Sequence, residues 1–204
     1  MLSTQHKPNI YLTFDDGPHP AFTPRILDIL HSRKIKATFF VVGSKLKAKT
    51  LADVVVAAAS DGHTIGNHTF THPDLTACSE EQIRREIENT GSQLYSLGIH
   101  SRLLRPPYGS TNDRVAEVVH QLGYELTLWD NDPRDWKSDC QSESQWVTNA
   151  ISAVDERNAG VIVCHDIHQR TVEHLDSLIE ALSTRGFGFS SLGATQLDVD
   201  STGP

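Results

Sequence analysis

Short apolar runs alternate with helical patterns along the chain. Seven runs have the length and apolar or β-branched content of strands, at residues 9–14, 37–42, 64–67, 102–105, 124–129, 160–164 and 187–190. Six segments have the pattern of helices, at residues 23–33, 51–60, 112–122, 143–157, 171–185 and from about residue 79 onward. Ser79 and Gln82 have the spacing of a capping box, which predicts the start of the helix near residue 79.

Seven strands that alternate with about six helices predict a parallel α/β architecture. A complete eight-unit barrel takes about 250 residues. The 204 residues of this chain therefore predict a distorted or incomplete (β/α) barrel with about seven parallel strands, and a doubly wound open sheet is the alternative. The chain has no repeat, low-complexity segment or linker composition. We expect one domain over residues 1–204, with a frayed tail at residues 198–204.

The charge balance excludes some classes of protein. The chain has 18 Lys and Arg against 26 Asp and Glu, a formal net charge of −8, whereas a nucleic-acid-binding protein needs a concentrated basic surface. No apolar stretch approaches the ~18 residues of a membrane span, and the N-terminus lacks the pattern of a signal peptide. We expect a cytoplasmic protein, or a secreted one if a removed signal peptide preceded this sequence, without nucleic-acid, membrane or protein partners.

The three cysteines, Cys78, Cys140 and Cys164, fit neither a disulfide framework nor a paired cysteine zinc motif. We interpret them as reduced thiols, which favours a reducing compartment. The 11 histidines are many for this length, and several stand beside carboxylates.

Polar side chains follow five of the predicted strands. In parallel α/β folds the reactive groups collect at the carboxyl ends of the strands. These ends supply Asp15 and Asp16, then His68 and His72, then Arg105, then residues 130–136, and then residues 165–168. The same face of the barrel should therefore hold carboxylates, imidazoles and a guanidinium.

His68 and His72 have a spacing that can chelate a divalent ion. Pro73 disfavours a helical conformation at His72, so we expect a loop or a single broken turn. Two histidines alone are more often surface or core residues. An Asp from another strand end reverses this expectation, because two His and one Asp leave open positions for water and substrate, as in catalytic zinc sites.

Asp15 and Asp16 precede Gly17 and Pro18, so a simple turn is one interpretation. Two adjacent carboxylates at the end of a buried strand repel each other and are costly to desolvate, which favours a functional pair. Adjacent side chains point in different directions. One carboxylate can therefore bind a metal while the other acts as a base.

Arg105 should point into the mouth of the barrel, where a buried guanidinium needs a carboxylate. The backbone N–H of Tyr108 is the first free donor after two prolines and could contact an oxyanion. His165 could act as a general acid if a carboxylate raises its pKa. Either Asp135 or Asp166 could supply that carboxylate, and the sequence does not choose between them.

The chain resembles the polysaccharide deacetylase family, carbohydrate esterase family 4, also called the NodB homology domain. Five family motifs occur in order over about residues 10–192, at residues 13–18 (TFDDGP), 68–72 (HTFTH), 105–108 (RPPY), 132–136 (DPRDW) and 163–166 (VCHD). The motifs are most similar to those of the chitooligosaccharide deacetylases. Cys164 departs from the family pattern, which usually has an aliphatic residue at this position.

The resemblance implies a hydrolase that removes N-acetyl groups from N-acetylglucosamine units of chitin-type oligosaccharides, a linear amide bond, and releases acetate. It implies one divalent metal ion, most simply Zn²⁺, with Co²⁺ or Ni²⁺ as substitutes. The resemblance implies that Asp16, His68 and His72 bind the metal. It implies catalytic roles for Asp15 as base, Arg105 as its partner, Tyr108 through its N–H, His165 as acid and Asp135 as the group that orients His165. It implies substrate binding by Tyr108, Trp136, Pro107 and His168.

Other functions remain as alternatives. The substrate could be peptidoglycan or another polysaccharide with N- or O-acetyl groups, although the short loops between motifs favour an open groove for soluble oligomers. A metal-independent, allantoinase-like amide hydrolase would lack the Asp, His and His set. A non-catalytic carbohydrate-binding relative would be expected to have lost Asp15 or His165, and this chain has both.

Overall fold

The structure is a computed structural model that describes residues 9–137, 144–158 and 160–193, and the backbone of residues 196–197. The predicted tail at residues 198–204 and Cys140 lie outside the described residues. Cys78 and Cys164 are free thiols, as predicted. None of the described helices is long and apolar enough to cross a membrane.

Within the described residues, nine strands alternate with six α-helices. The strands are β1 (Asn9–Asp15), β2 (Thr38–Val41), β3 (Thr64–Asn67), β4 (Ile99–His100), β5 (Leu103–Leu104), β6 (Glu125–Leu126), β7 (Gly160–His165), β8 (Gly188–Ser190) and β9 (Gln196–Leu197). The helices are α1 (Phe22–Ser32), α2 (Lys49–Ser60), α3 (Glu80–Ser96), α4 (Asp113–Gln121), α5 (Gln145–Arg157) and α6 (Gln169–Thr184). The capping box predicted at Ser79 and Gln82 is present at the start of α3.

Seven strands form one parallel sheet in the order β6-β5-β3-β2-β1-β7, with β8 also paired to β1. Strand β8 pairs with the first half of β1, and β2 pairs with its second half. The remaining strands, β4 and β9, form a separate antiparallel pair that the sequence pattern did not predict. Strands of two residues are too short to display an alternating pattern.

The two edges of the sheet meet through the segment that follows β6. Asn131 forms an isolated parallel bridge to Ile162 of β7. The N–H of Asn131 donates to the carbonyl of Val161 at 3.1 Å, and the N–H of Val163 donates to the carbonyl of Asn131 at 3.0 Å. This closure confirms the distorted barrel and excludes the open doubly wound sheet. It also explains why β6 ends at Leu126 rather than at residue 129, because the chain then crosses to β7.

Strand β1 is buried on both faces over its second half, from Leu12 to Asp15. Ile10, Leu12 and Phe14 are fully buried in the main apolar core, which includes residues of α1, α5 and α6. Thr13 and Asp15 alternate with these residues and are buried as well. Successive side chains of a strand point to opposite faces, so β1 presents an apolar face to the helices and a polar face to the interior of the barrel.

Candidate active site

A cavity of about 390 Å³ lies at the carboxyl ends of the strands. Eight residues singled out from the sequence line it: Asp15, Asp16, His68, His72, Tyr108, Trp136, His165 and His168. A larger cavity of about 1090 Å³ lies where β3, β5 and β6 begin, and none of the predicted site residues lines it. The chemistry suggested by the motifs therefore gathers in the smaller cavity.

Asp16, His68 and His72 form a compact group of potential metal ligands. Asp16 Oδ1 lies 3.3 Å from His68 Nε2 and 3.1 Å from His72 Nε2, and the ligand atoms all lie within 4.8 Å of one another. His68 Nδ1 lies 2.8 Å from the carbonyl oxygen of Arg105. A carbonyl can only accept, so Nδ1 carries a proton and Nε2 is the His68 nitrogen that faces Asp16. Two imidazoles with one carboxylate suit a divalent metal.

The charge of Asp16 agrees with this role. Burial alone would raise the pKa of this carboxyl, but the hydrogen bonds with His68 and His72 outweigh burial and lower the pKa far below its ordinary value. Asp16 is therefore ionised, as a metal ligand must be.

The loop from His68 to His72 is not helical, as Pro73 predicted. His72 has a φ of 63° in the left-handed region. The loop is bound to α3 by Glu86: Oε2 accepts the N–H groups of Phe70 at 2.8 Å and Thr71 at 2.7 Å, and Oε1 accepts the Thr71 hydroxyl at 2.7 Å. One side chain of α3 thus fixes the segment between the two histidines. The sequence reasoning missed Glu86.

Arg105 is fully buried, and its guanidinium lies beside Asp15. Its Nη1 donates to Asp15 Oδ1 at 2.8 Å and to the hydroxyl oxygen of Thr13 at 2.7 Å. Its Nη2 donates to the carbonyl of Leu128 at 3.1 Å, and the guanidinium lies 4.1 Å from the centre of the Phe40 ring. These contacts fix one oxygen of Asp15. The other oxygen, Oδ2, lies 3.9 Å from His68 Nε2, at the metal-ligand group.

His165 and Asp135 form a second buried pair. His165 Nδ1 lies 2.7 Å from Asp135 Oδ1, and the backbone N–H of His165 donates to Asp135 Oδ2 at 2.7 Å. The hydroxyl of Thr171 also donates to Oδ2, at 2.7 Å. Burial lowers the pKa of His165, but the hydrogen bond and charge of Asp135, together with the charges of Asp15 and Asp16, outweigh burial and raise the pKa to about 9. The imidazole is therefore protonated near neutral pH, with Nε2 as its remaining donor.

The structure thus selects Asp135 as the partner of His165. The alternative carboxylate, Asp166, is also buried, but it accepts a hydrogen bond from the hydroxyl of Thr23 at 2.5 Å. Burial raises the pKa of Asp166 to about 7.

Aromatic side chains form the exposed rim of the cavity. Tyr108 is 67% exposed and Trp136 is 46% exposed. Tyr108 has a φ of 61°, and its ring contacts the ring of His72 edge-on with 4.8 Å between the centres. His168 lies next to His165, with 5.8 Å between the ring centres. Pro107 is buried and is not among the lining residues.

Three further residues line the cavity, to which the sequence assigned no individual role: Trp129, Asp132 and Val163. Trp129 explains a glycine, because a Cβ atom on Gly109, which has a φ of 66°, would lie 2.7 Å from its ring. Asp132 Oδ1 accepts the N–H of Arg134 at 2.9 Å, in the turn that leads to Asp135. Asp132 and Val163 lie in the family motifs at residues 132–136 and 163–166, which is the sequence signal for both.

Phe70 and Cys164 lie outside the cavity lining. The Phe70 ring is covered by Lys47, whose Nζ lies 5.0 Å from the ring centre.

Cys164 is fully buried in the main apolar core, and burial raises the pKa of its thiol well above the ordinary value. A protonated, inaccessible thiol resists oxidation, so we expect Cys164 to behave as a small core residue.

The profile described as "Polysaccharide deacetylase" matches residues 3–127, more than half of the chain. The chain belongs to the polysaccharide deacetylase family. The match spans the first three of the five motifs, and it confirms the family resemblance and the assignment as a carbohydrate deacetylase. The deacetylases of carbohydrate esterase family 4 are metal-dependent, which agrees with the group formed by Asp16, His68 and His72.

Similar proteins are named as deacetylases of different substrates. The chitooligosaccharide deacetylase of Sinorhizobium fredii is 35% identical over 200 residues, which cover 91% of this chain and 90% of that protein. The solved structure of the peptidoglycan deacetylase PdaC from Bacillus subtilis is 34% identical, with a TM-score of 0.78 over 90% of this chain and 87% of that chain. Overall similarity therefore does not distinguish between these substrates.

One polysaccharide deacetylase relative is described as lacking the activity. The structure of BA3943, a family 4 pseudoenzyme from Bacillus anthracis, has a TM-score of 0.80 at 25% identity, over 92% of this chain and 64% of that chain. The family fold is therefore not sufficient for catalysis, and the individual side chains around the cavity must carry the argument for activity.

Proposed function

We propose that this chain hydrolyses the N-acetyl groups of N-acetylglucosamine units in chitin-type oligosaccharides and releases acetate. The observation that carries the proposal is the convergence of three groups on one cavity: the Asp16, His68 and His72 ligands, the Asp15–Arg105 pair and the Asp135–His165 pair. Amide hydrolysis needs an electrophilic centre, a base and an acid, and each group has the chemistry of one of these tasks.

Asp16, His68 and His72 would hold the metal, for which we propose Zn²⁺, with Co²⁺ or Ni²⁺ as substitutes. A divalent cation here would supply Lewis-acid polarisation of the acetamide carbonyl and would lower the pKa of water. Three protein ligands leave a coordination position open to water and substrate, as in catalytic zinc sites.

Asp15 is the proposed base. Arg105 fixes its Oδ1, while Oδ2 faces the metal-ligand group and is placed to accept a proton from the attacking water. A base held in one orientation loses little entropy in the reaction. The full burial of Arg105 keeps this pair away from competing solvent.

His165 is the proposed acid. An amide nitrogen is a poor leaving group until it is protonated, and His165 Nε2 would deliver the proton because Nδ1 is already bound to Asp135. The backbone N–H of Tyr108 is the proposed donor to the developing oxyanion. Neutral sugar rings stack on aromatic faces, and Tyr108 and Trp136 are exposed at the rim for this contact.

The test is acetate release from chitooligosaccharides of two to six units. Chelator-treated protein is assayed with and without added Zn²⁺ or Co²⁺, and mass spectrometry locates the free amine. We expect metal-dependent loss of acetyl groups at defined positions. Faster turnover on peptidoglycan would instead favour the alternative substrate, for which the similarity to PdaC is the supporting observation.

The matched variant is Asp15→Asn, which keeps the shape of the side chain and removes the base. We expect it to retain the metal and to lose at least about 100-fold in kcat, the typical contribution of a general base. Wild-type turnover in Asp15→Asn would remove Asp15 as the base. Absence of acetate release from folded, metal-loaded protein on every acetylated sugar would favour a non-catalytic carbohydrate-binding protein.

A further inference from the structure

Asp166 is a buried carboxyl that the proposed chemistry does not use. The residue is 1% exposed, and its Oδ2 accepts the Thr23 hydroxyl. Its Oδ1 has no hydrogen-bond partner among the described residues, and none of them forms an ion pair with it. A buried polar oxygen without a partner destabilises the fold, so its presence calls for a physical reason.

The carboxyl packs against the turn that follows β1. A Cβ atom placed on Gly17 would lie 2.1 Å from Asp166 Oδ2 and 2.2 Å from Oδ1. Gly17 is not among the residues with positive φ, so its backbone conformation does not require glycine. Position 17 needs glycine because the Asp166 carboxyl occupies the space where any other side chain would begin.

This contact adjoins the metal-ligand group. Gly17 follows Asp16, whose φ of 72° turns the chain sharply. The carbonyl of Gly17 accepts the N–H of Val42 at 2.9 Å, and the N–H of Asp166 donates to the carbonyl of Asp15 at 3.4 Å. The turn is thus held by the chain after β2 and by Asp166 after β7.

We propose that Asp166 is a positioning residue for the metal site, and that its carboxyl acts as a steric backstop to Gly17 that fixes Asp16 toward His68 and His72. The inference rests on the proposed metal role of Asp16. Shape rather than charge does the positioning, because among the described residues the Thr23 hydroxyl is the one hydrogen-bond donor to the Asp166 side chain. The same contact links the turn after β1, which begins with Asp16, to the segment that follows β7, the strand of the proposed acid.

The test measures the affinity of purified, folded protein for Zn²⁺ by calorimetry, and the absorption spectrum of bound Co²⁺. We expect Gly17→Ala to weaken Zn²⁺ binding about 100-fold and Asp166→Ala about tenfold, the range seen when groups behind metal ligands are removed. In the double variant Gly17→Ala/Asp166→Ala the vacated space accepts the new methyl group. Its affinity should therefore exceed that of Gly17→Ala about tenfold, a non-additive result expected only for residues in contact.

Two further variants separate positioning from other effects. Asp166→Asn keeps the shape without the charge and should bind Zn²⁺ within about threefold of wild type, less than the effect of removing the group. Leu178→Ala, a fully buried core position in α6, should lower thermal stability without changing the affinity. A double variant no better than Gly17→Ala, or an Asp166→Asn as weak as Asp166→Ala, would overturn the proposal. Metal affinity does not depend on the sugar substrate, so these outcomes are independent of the acetate-release test.

Discussion

The proposed base and acid are each held by an oppositely charged side chain from another part of the barrel. Asp15 on β1 is paired with Arg105 after β5, and His165 on β7 is paired with Asp135 in the segment after β6. Arg105 and Asp135 are fully buried, whereas His165 reaches the cavity. Buried partners cannot move to solvent, so the two reactive groups keep fixed orientations, and the Asp135 contact also raises the pKa of His165.

The Asp135 charge should set the alkaline limit of activity. Burial alone would lower the pKa of His165, and the Asp135 hydrogen bond and charge raise it instead. In Asp135→Asn the imidazole loses this support, so the alkaline limb of kcat/KM should move to lower pH by about one unit. We also expect kcat to fall about 100-fold because the acid is less often protonated and less well oriented. A pH–rate profile of the metal-loaded enzyme from pH 5 to 10 measures both effects.

Asp132→Asn is the matched control for this experiment. Asp132 also lines the cavity, and asparagine can still accept the N–H of Arg134 through its side-chain oxygen. The control removes one negative charge near the same cavity without touching His165. An equal shift of the alkaline limb in both variants would mean that general electrostatics, rather than the Asp135–His165 pair, sets the limit.

At the scale of elements, helix α3 holds the loop that carries the two histidine ligands. Glu86 on this helix accepts three hydrogen bonds from Phe70 and Thr71, between the two histidine ligands. The capping box at Ser79 fixes the start of the same helix, and Ile83 and Ile87 anchor it in the second apolar cluster. The packing of α3 on the barrel therefore fixes the position of the loop between His68 and His72.

Glu86→Ala should weaken Zn²⁺ binding about tenfold, because three loop donors lose their acceptor and the spacing of His68 and His72 is no longer fixed. Glu88→Ala is the control, since Glu88 is exposed on the same helix and lines the distant larger cavity. Zn²⁺ titrations of the two variants, at matched helical content by circular dichroism, measure the difference. Equal affinities would show that the loop does not need its tie to α3.

The motifs placed the polar side chains at strand ends, and parallel strands bring such ends to one face, so most lining residues could be predicted from the sequence. The choice of Asp135 over Asp166 as the partner of His165 could not be predicted. Both carboxylates follow strand ends at the same face of the barrel, and only the folded structure shows which one contacts the imidazole. The role of Glu86 could not be predicted either, because its side chain binds the N–H of Phe70, which lies 16 residues earlier in the sequence. Pro107 is buried and does not line the cavity, which depends on packing that the motif does not encode.

At the scale of the whole molecule, closure of the barrel brings the distant groups together. The order β6-β5-β3-β2-β1-β7 puts β1 between β2 and β7, so its carboxyl end lies beside His165. The bridge at Asn131 then carries the following segment, with Asp135, to the same end of β7. The alternation of strands and helices predicted a barrel, but closure depends on an irregular segment that has no periodic signature.

The protonation of His165 should make the stability of the metal-free protein fall at alkaline pH. Burial lowers the pKa of His165, but Asp135, with the charges of Asp15 and Asp16, outweighs burial and raises the pKa to about 9, above the ordinary value of 6.5 expected in the unfolded chain. The folded protein therefore binds the proton more tightly, which gives stabilisation that is complete below pH 6.5 and lost as the pH rises through about 9. Two other groups act mainly at lower pH: Asp166, whose pKa burial raises to about 7, and His63, whose pKa burial lowers to about 4.

Between pH 7 and 9 we therefore expect chelator-treated protein to lose on the order of 2 kcal/mol of unfolding free energy. Urea unfolding at pH 7, 8 and 9 measures the loss, with His165→Gln as the matched variant. Glutamine carries no titrating proton, so its stability should change much less over this range, and the difference between the two proteins isolates the contribution of His165 from the general increase in negative charge. Parallel curves for wild type and His165→Gln would mean that Asp135 does not hold the imidazole protonated in the folded state.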